Sequence, residues 1–207
     1  MKGAAKIAAG AAVSIWLLLV AAGFKVLLDY GLTPGAQGQA PAHWPAASSL
    51  VRNPDGPTLI VALHPQCSCS RATLAELAAI VKQRPGVNQR SETMRAYALF
   101  VRPPGVAGGW ERAELWRRAA QIPGITLVAD DRGREAIRFG AATSGQTLLY
   151  DRAGVLRFSG GITAARGFYG DNAGARAMIA LLDNRAEGSG HTAVYGCPLL
   201  GSGCGKK

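Results

Sequence analysis

The sequence predicts an α/β domain, a mixed sheet flanked by helices, carried behind a single N-terminal membrane-spanning helix. Three observations predict it. Apolar runs and turn residues succeed one another as β-α-β-α-β-(α)-β-β-α, an early parallel half followed by a hairpin, which is the order of a sheet with helices on both faces. Residues Ile7 to Phe24 contain no charged side chain, and Val26-Leu27-Leu28 extends the run to the length that crosses a bilayer. Four cysteines form two close pairs, Cys67/Cys69 and Cys197/Cys204, both behind that span. Outside the cytosol such pairs are expected to be oxidised or to do chemistry.

Lys2 and Lys6 precede the apolar run and place the N-terminus in the cytoplasm by the positive-inside rule. The expected location is the inner membrane, single-pass, with the domain in the periplasm or outside. A cleaved signal peptide is the competing reading; the length of the run and the lack of a small-x-small site after it favour an uncleaved anchor. Residues 1–30 are the anchor. Residues 31–50, rich in Gly, Pro, Ala and Gln without apolar periodicity, read as a tether, with Trp44 at the membrane interface or on the domain. Residues 51–186 are the domain and 187–207 a Gly/Ser/Cys-containing tail with the character of a mobile segment.

Within the domain, Thr58–Leu63 has the length and β-branching of a buried strand. His64-Pro65 ends it, since proline cannot continue a central ladder. A helix is expected from Ser70 to Gln83, halted at Arg84-Pro85-Gly86, and a second strand over 94–101. Trp110 to Gln121 reads as a helix with Trp110, Ala113, Trp116 and Ala120 on one stripe. A short strand at 125–129 and a short helix at 134–139 follow. Strands at 147–150 and 155–159 flank the turn Asp151-Arg152-Ala153-Gly154, and Asp171-Asn172 can cap a last helix over 173–182.

The formal net charge is +10, of which +8 lies beyond residue 43. It is mostly arginine, spread along the chain, with no packed basic run interleaved with aromatics; no nucleic-acid partner is expected. A basic surface near anionic lipid is the simpler reading.

The chemistry is expected at Val61 to Glu76, VALHPQCSCSRATLAE. Two thiols stand where a buried strand stops and an amphipathic helix begins. Unpaired N–H groups and positive partial charge at a helix start stabilise a thiolate and make a cysteine nucleophilic at neutral pH. Cys67 is the candidate nucleophile and Cys69 its partner, although a disulfide spanning one residue is strained and easily reduced. Cys197 and Cys204 are either a resolving pair that relays electrons to Cys67 or a structural staple of the tail. Exported protein thiols or disulfides are the expected partners.

The thiol turn, the late hairpin Ser144-Gly145-Gln146-Thr147-Leu148-Leu149-Tyr150-Asp151 and the capped last helix resemble a thioredoxin-like domain. The anchor brings the chain near the exported TlpA and ResA group. HPQCSCSRATLAEL, TSGQTLLYDRAGVLRFSGGIT, GDNAGARA and YGCPLL together resemble the RedB proteins over most of residues 55–200. The resemblance implies thiol–disulfide exchange. It also implies that Ser144, Gly145 and Gln146 form the wall facing the thiols, where an extended substrate pairs. Two departures stand out. Ser70 occupies the second position of the usual C-x-x-C, and Gly145 the position of the usual cis-proline, leaving a roomier, freer backbone.

Three other readings compete with exchange. Cys67, Cys69 and His64 could hold a soft ion, copper above all, as exported domains of the Sco kind do with a different spacing; the tail cysteines could complete the set and His191 is the late histidine. Otherwise no cofactor is expected. A peroxidase reading is weaker, because His64-Pro65-Gln66 stands where a threonine is usual and Arg71 is a loose activating candidate. A non-catalytic binding module would leave the thiols without chemistry.

Overall fold

The structure is a computed structural model describing residues 2–83, 94–185 and 190–201. The chain divides into two compact units, Met1–Thr33 and Pro34–Lys207. The first is helix α1, Lys2–Leu32. It is apolar from Gly3 to Leu32 and about 46 Å long at the α-helical rise, more than a bilayer's hydrocarbon thickness. Lys25 pairs with Asp29 one turn on.

The second unit is built on strands β1 (Thr58–Leu63), β2 (Arg95–Arg102), β3 (Ile125–Asp131), β4 (Gln146–Tyr150), β5 (Leu156–Gly160) and β6 (Gly190–His191). They lie in the order β3-β2-β1-β4-β5-β6. β1, β2 and β3 are parallel, β4 is antiparallel to β1, β5 antiparallel to β4, and β6 parallel to β5. Between them run α2 (Ser70–Lys82), α3 (Glu114–Ala119), α4 (Arg134–Arg138) and α5 (Ala173–Leu182).

All six residues of β1 are buried, which is why that strand reads as an unbroken apolar run. Leu59, Val61 and Leu63 face the α2 and α5 layer, with Leu74, Leu77, Phe158 and Met178. Ile60 faces the other way, with Tyr97, Leu99, Phe139, Leu148 and Tyr150. Asn172 caps α5 as expected, its side chain accepting the Ala175 N–H at 2.8 Å. The expected stop at Arg84-Pro85-Gly86 lies outside the described residues.

Three expectations are corrected. The helix over 110–121 is only Glu114–Ala119. Gly109 at φ +93° and extended Ala113 break the pattern before it, so Trp110 leaves the stripe while Trp116 stays on Phe100. The stretch 31–50 is not a free tether beyond residue 34. Trp44 stacks edge-on to Phe139 and Tyr150, with centroids at 4.9 and 5.4 Å, and Tyr150 donates to Pro41 O at 3.0 Å. The Leu156 and Trp44 N–H groups pair with Ala42 O and Gly154 O, because a backbone lying on a sheet must satisfy its polar groups there. The tail too is docked where described: β6 extends the sheet, and Val194 and Leu199 are each 1% exposed. Cys204 lies outside the described residues.

Candidate redox site

β1 delivers its carboxyl end to the site, the side on which ligand chemistry collects in open α/β sheets. After Leu63 the chain turns tightly, Cys67 N–H donating to His64 O and Ser70 N–H to Cys67 O, each at 3.0 Å. Cys69 is the residue before α2. Cys67 is 1% and Cys69 7% exposed. A cleft of about 210 Å³ lined by Pro65, Gln66, Ser68, Arg71 and Glu114 opens beside Cys67. Arg71, offered by the sequence as an activating residue, is instead ion-paired to Glu114 at 2.5 Å, both well exposed.

The thiol in contact with Cys67 is Cys197, sulfur to sulfur 3.2 Å, 130 residues away in sequence. None of Cys67, Cys69 and Cys197 is joined in a disulfide. Hydrogen-bonded contacts with Cys197 first, and then with Cys69 and Ser70, hold the Cys67 thiol far below the ordinary thiol range against the upward push of burial. Cys197 also pulls the Cys69 thiol down, but Cys67 beside it and burial outweigh this and raise it. The two shifts run in opposite directions and favour the anion at Cys67 over Cys69. Neighbouring hydrogen-bonding groups thus stabilise the thiolate, beside the helix end to which the sequence points.

Ser144 is the hub of the facing wall. Its hydroxyl accepts the His64 N–H at 2.7 Å and lies 2.7 Å from the Ser70 hydroxyl, so the non-cysteine Ser70 ties α2 to the wall. Its backbone N–H donates to Cys197 O at 2.8 Å. Gly145 adopts φ +94°, favoured only by glycine, and a side chain there would press on Thr73 Oγ1 at 2.8 Å. Its N–H donates to Ala62 O at 2.8 Å.

Gln146, expected on the wall, is fully buried and faces away. It accepts the Ala142 N–H at 3.0 Å and donates to Gly38 O and Gly140 O at 3.4 Å, fastening the segment that enters the domain. Of the expected wall, Ser144 bonds to the Cys197 backbone and to Ser70, and Gly145 lies against Thr73 of α2.

Cys67, Cys69 and His64 do not assemble as a ligand set: no group of three or more His, Cys, Asp or Glu able to hold a metal gathers among the described residues. His64 is 1% exposed, its Nδ1 accepts the Gln66 N–H at 3.3 Å, and its ring meets Trp110 edge-on at 5.5 Å. Burial lowers its pKa, a shift the Cys67 charge opposes. His191 stands on β6, exposed at the sheet edge.

Sequence reasoning missed Arg166, whose guanidinium donates to Gly196 O and favours the Cys69 anion. It lies in an unpatterned loop, and only the fold brings it to the thiols. Gly196 was missed as well; its one signal is its place before Cys197 and Pro198.

The chain path matches solved structures. A hypothetical protein, SMc02350, from Sinorhizobium meliloti 1021 superposes with a TM-score of 0.54 at 20% identity, covering 81% of this chain and 93% of that one. An uncharacterized conserved protein from Geobacillus kaustophilus gives 0.52 at 15% identity, over 84% and 95%. MTB DsbF, in mixed oxidized and reduced forms, gives 0.42 at 11% identity, over 64% and 82%. The domain has the thioredoxin-like fold. No family model and no curated protein matches the chain, so the RedB likeness rests on the sequence segments alone.

Proposed function

We propose that the chain is a membrane-anchored thiol–disulfide oxidoreductase acting on exported protein partners, with Cys67 as nucleophile and Cys197 as its resolving thiol. The observation that carries this reading is the 3.2 Å contact between the two sulfurs, beside which the Cys67 pKa is lowered. Closing it to a disulfide needs a shift of about 1 Å, since a sulfur–sulfur bond measures about 2.05 Å. The apolar helix Gly3–Leu32 supports the anchor, and with Lys2 and Lys6 before its core an extracytoplasmic domain.

Exchange runs as follows. The Cys67 thiolate attacks one sulfur of a partner disulfide, and the other partner sulfur leaves as a thiolate with the bonding electron pair. Cys197, once deprotonated, attacks Cys67 Sγ in the mixed disulfide and expels the second partner sulfur. The partner gains two electrons and the chain keeps a Cys67–Cys197 disulfide. The reverse sequence oxidises a partner dithiol. Cys69, with its raised pKa, stays protonated and donates to the Cys67 thiolate.

The test is intact-mass and peptide mapping of the full chain in detergent after reaction with a disulfide-bonded protein substrate. The expected result is loss of two hydrogens with Cys67 linked to Cys197, no reaction in Cys67→Ser, and a trapped mixed disulfide in Cys197→Ser. Undiminished partner turnover in Cys67→Ser would leave the binding-module reading in its place.

A further inference from the structure

The backbone around Cys197 sits on the domain as an added strand. Ser144 N–H donates to Cys197 O at 2.8 Å, Leu199 N–H donates to Ala142 O at 2.9 Å, and Thr143 and Pro198 form an antiparallel bridge. Leu199 fills a small apolar pocket of Ala62, Val101, Ala136 and Ala141. Gly196 lies so close to the wall that a Cβ would fall 1.9 Å from Ser144 O. Each feature reads one residue of an extended Gly-Cys-x-Leu segment: no side chain before the cysteine, a paired carbonyl on it, an aliphatic side chain two residues after.

We propose that residues 196–199 are a tethered substrate look-alike, and that the edge at Ala142–Ser144 admits an external extended peptide of the same chemistry, glycine before the cysteine and an aliphatic residue two after, only when the tail strand lifts off. This rests on the exchange reading and adds to it a partner class and a gate. Strand addition gives such an edge its affinity through main-chain bonds and its selectivity through alternate side chains. Tethering gives the internal segment a high effective concentration, so a free peptide competes poorly until the tail is loosened.

The experiment uses the full chain carrying Cys197→Ser, which keeps the tail backbone and leaves Cys67 unable to resolve. The probe is the peptide Tyr-Gly-Cys-Pro-Leu-Leu, its cysteine in a mixed disulfide with thionitrobenzoate. The Cys67 thiolate attacks the peptide sulfur, and thionitrobenzoate leaves with the electron pair and is read by its colour. Gly196→Ala, which collides with Ser144 O, and Leu199→Ala, which empties the pocket, are each added to Cys197→Ser. Both should speed trapping by at least about tenfold, the ratio for loss of one well-formed contact. A peptide with alanine before the cysteine should stay about tenfold slower in every variant, by the same steric argument.

Cystamine, a small disulfide that needs no edge, is the control. Equal peptide rates in all three proteins, or no preference for glycine, with cystamine reacting normally, overturn the gate and its partner class while leaving the exchange reading intact. No reaction with cystamine either removes the exchange reading, and the gate with it.

Discussion

Two stretches of this chain are poor in apolar periodicity and rich in glycine and proline, residues 34–50 and 190–201. Both pack on the same sheet, and they are held by different means. The first is fixed by bulk. Trp44 lies against Phe139 and Tyr150, and the buried amide of Gln146 and the hydroxyl of Tyr150 clamp its carbonyls. The second is fixed by backbone pairing and close approach, with Val194 and Leu199 as its buried apolar anchors. Bulk burial resists removal; a strand held mainly by exchangeable hydrogen bonds has a smaller barrier to leaving. On the proposal above, the first is a permanent part of the domain and the second a removable one, and Cys67 lies in contact with the second through Cys197.

The largest effect that could break this contrast is on the first stretch. Trp44→Ala should lower unfolding free energy by about 2–3 kcal/mol, somewhat under the figure for a fully buried aromatic because Trp44 is half-buried. Chemical denaturation of the full chain reads it, and a loss under about 0.5 kcal/mol would return residues 34–50 to the status of a tether. Gln146→Leu should cost about 2 kcal/mol, since it leaves the Ala142 N–H and two carbonyls without their partner. Tyr150→Phe removes one hydroxyl bond and should cost about 1 kcal/mol. Gly196→Ala, on the second stretch, should change global stability by under about 1 kcal/mol while exposing Cys67 to alkylation. A global loss as large as that of Trp44→Ala would erase the distinction.

The smallest effect is a pH slope. Cys67 has a folded pKa far below its unfolded one, so the folded state binds fewer protons and stability rises with pH until the unfolded thiol itself ionises, at about 8.5. That contribution is lost as pH falls through the depressed folded value. Between pH of about 7 and 8.5, above the range where His64 contributes in the same sense, the reduced protein should gain stability with pH and Cys67→Ser should not. A slope that persists in Cys67→Ser would assign it to another group. In Gly196→Ala, where Cys67 is exposed, Cys69 with its raised pKa should resist alkylation while Cys67 reacts.

Most of the fold was legible because its signals are local. The run Thr58–Leu63 and the Asn172 cap carry their own patterns, and strand and helix stand where those patterns place them. Trp110 illustrates the limit: its spacing fits the α3 stripe, but Gly108-Gly109 divert the backbone, and the ring meets His64 instead. Of the site, Cys67 and Ser144 were legible from the strand end and the hairpin. Their closest partner was legible only as one alternative, because contact between residues 67 and 197 is decided by where the tail crosses the sheet. Gln146 was misassigned because strand alternation would put it on the side of Ser144, but Gly145 at φ +94° interrupts the alternation just before β4 begins, and the Gln146 side chain points the other way.

In the segment after α1, the Gly35 N–H donates to Val194 O at 2.8 Å, and Gln37 reaches Thr192 O at 2.7 Å. Val194 stands three residues before Cys197. In mechanical terms these bonds follow α1 directly along the chain, ahead of every strand of the sheet. A pull on the chain at residue 34 therefore loads the root of the Cys197 segment before it loads the core.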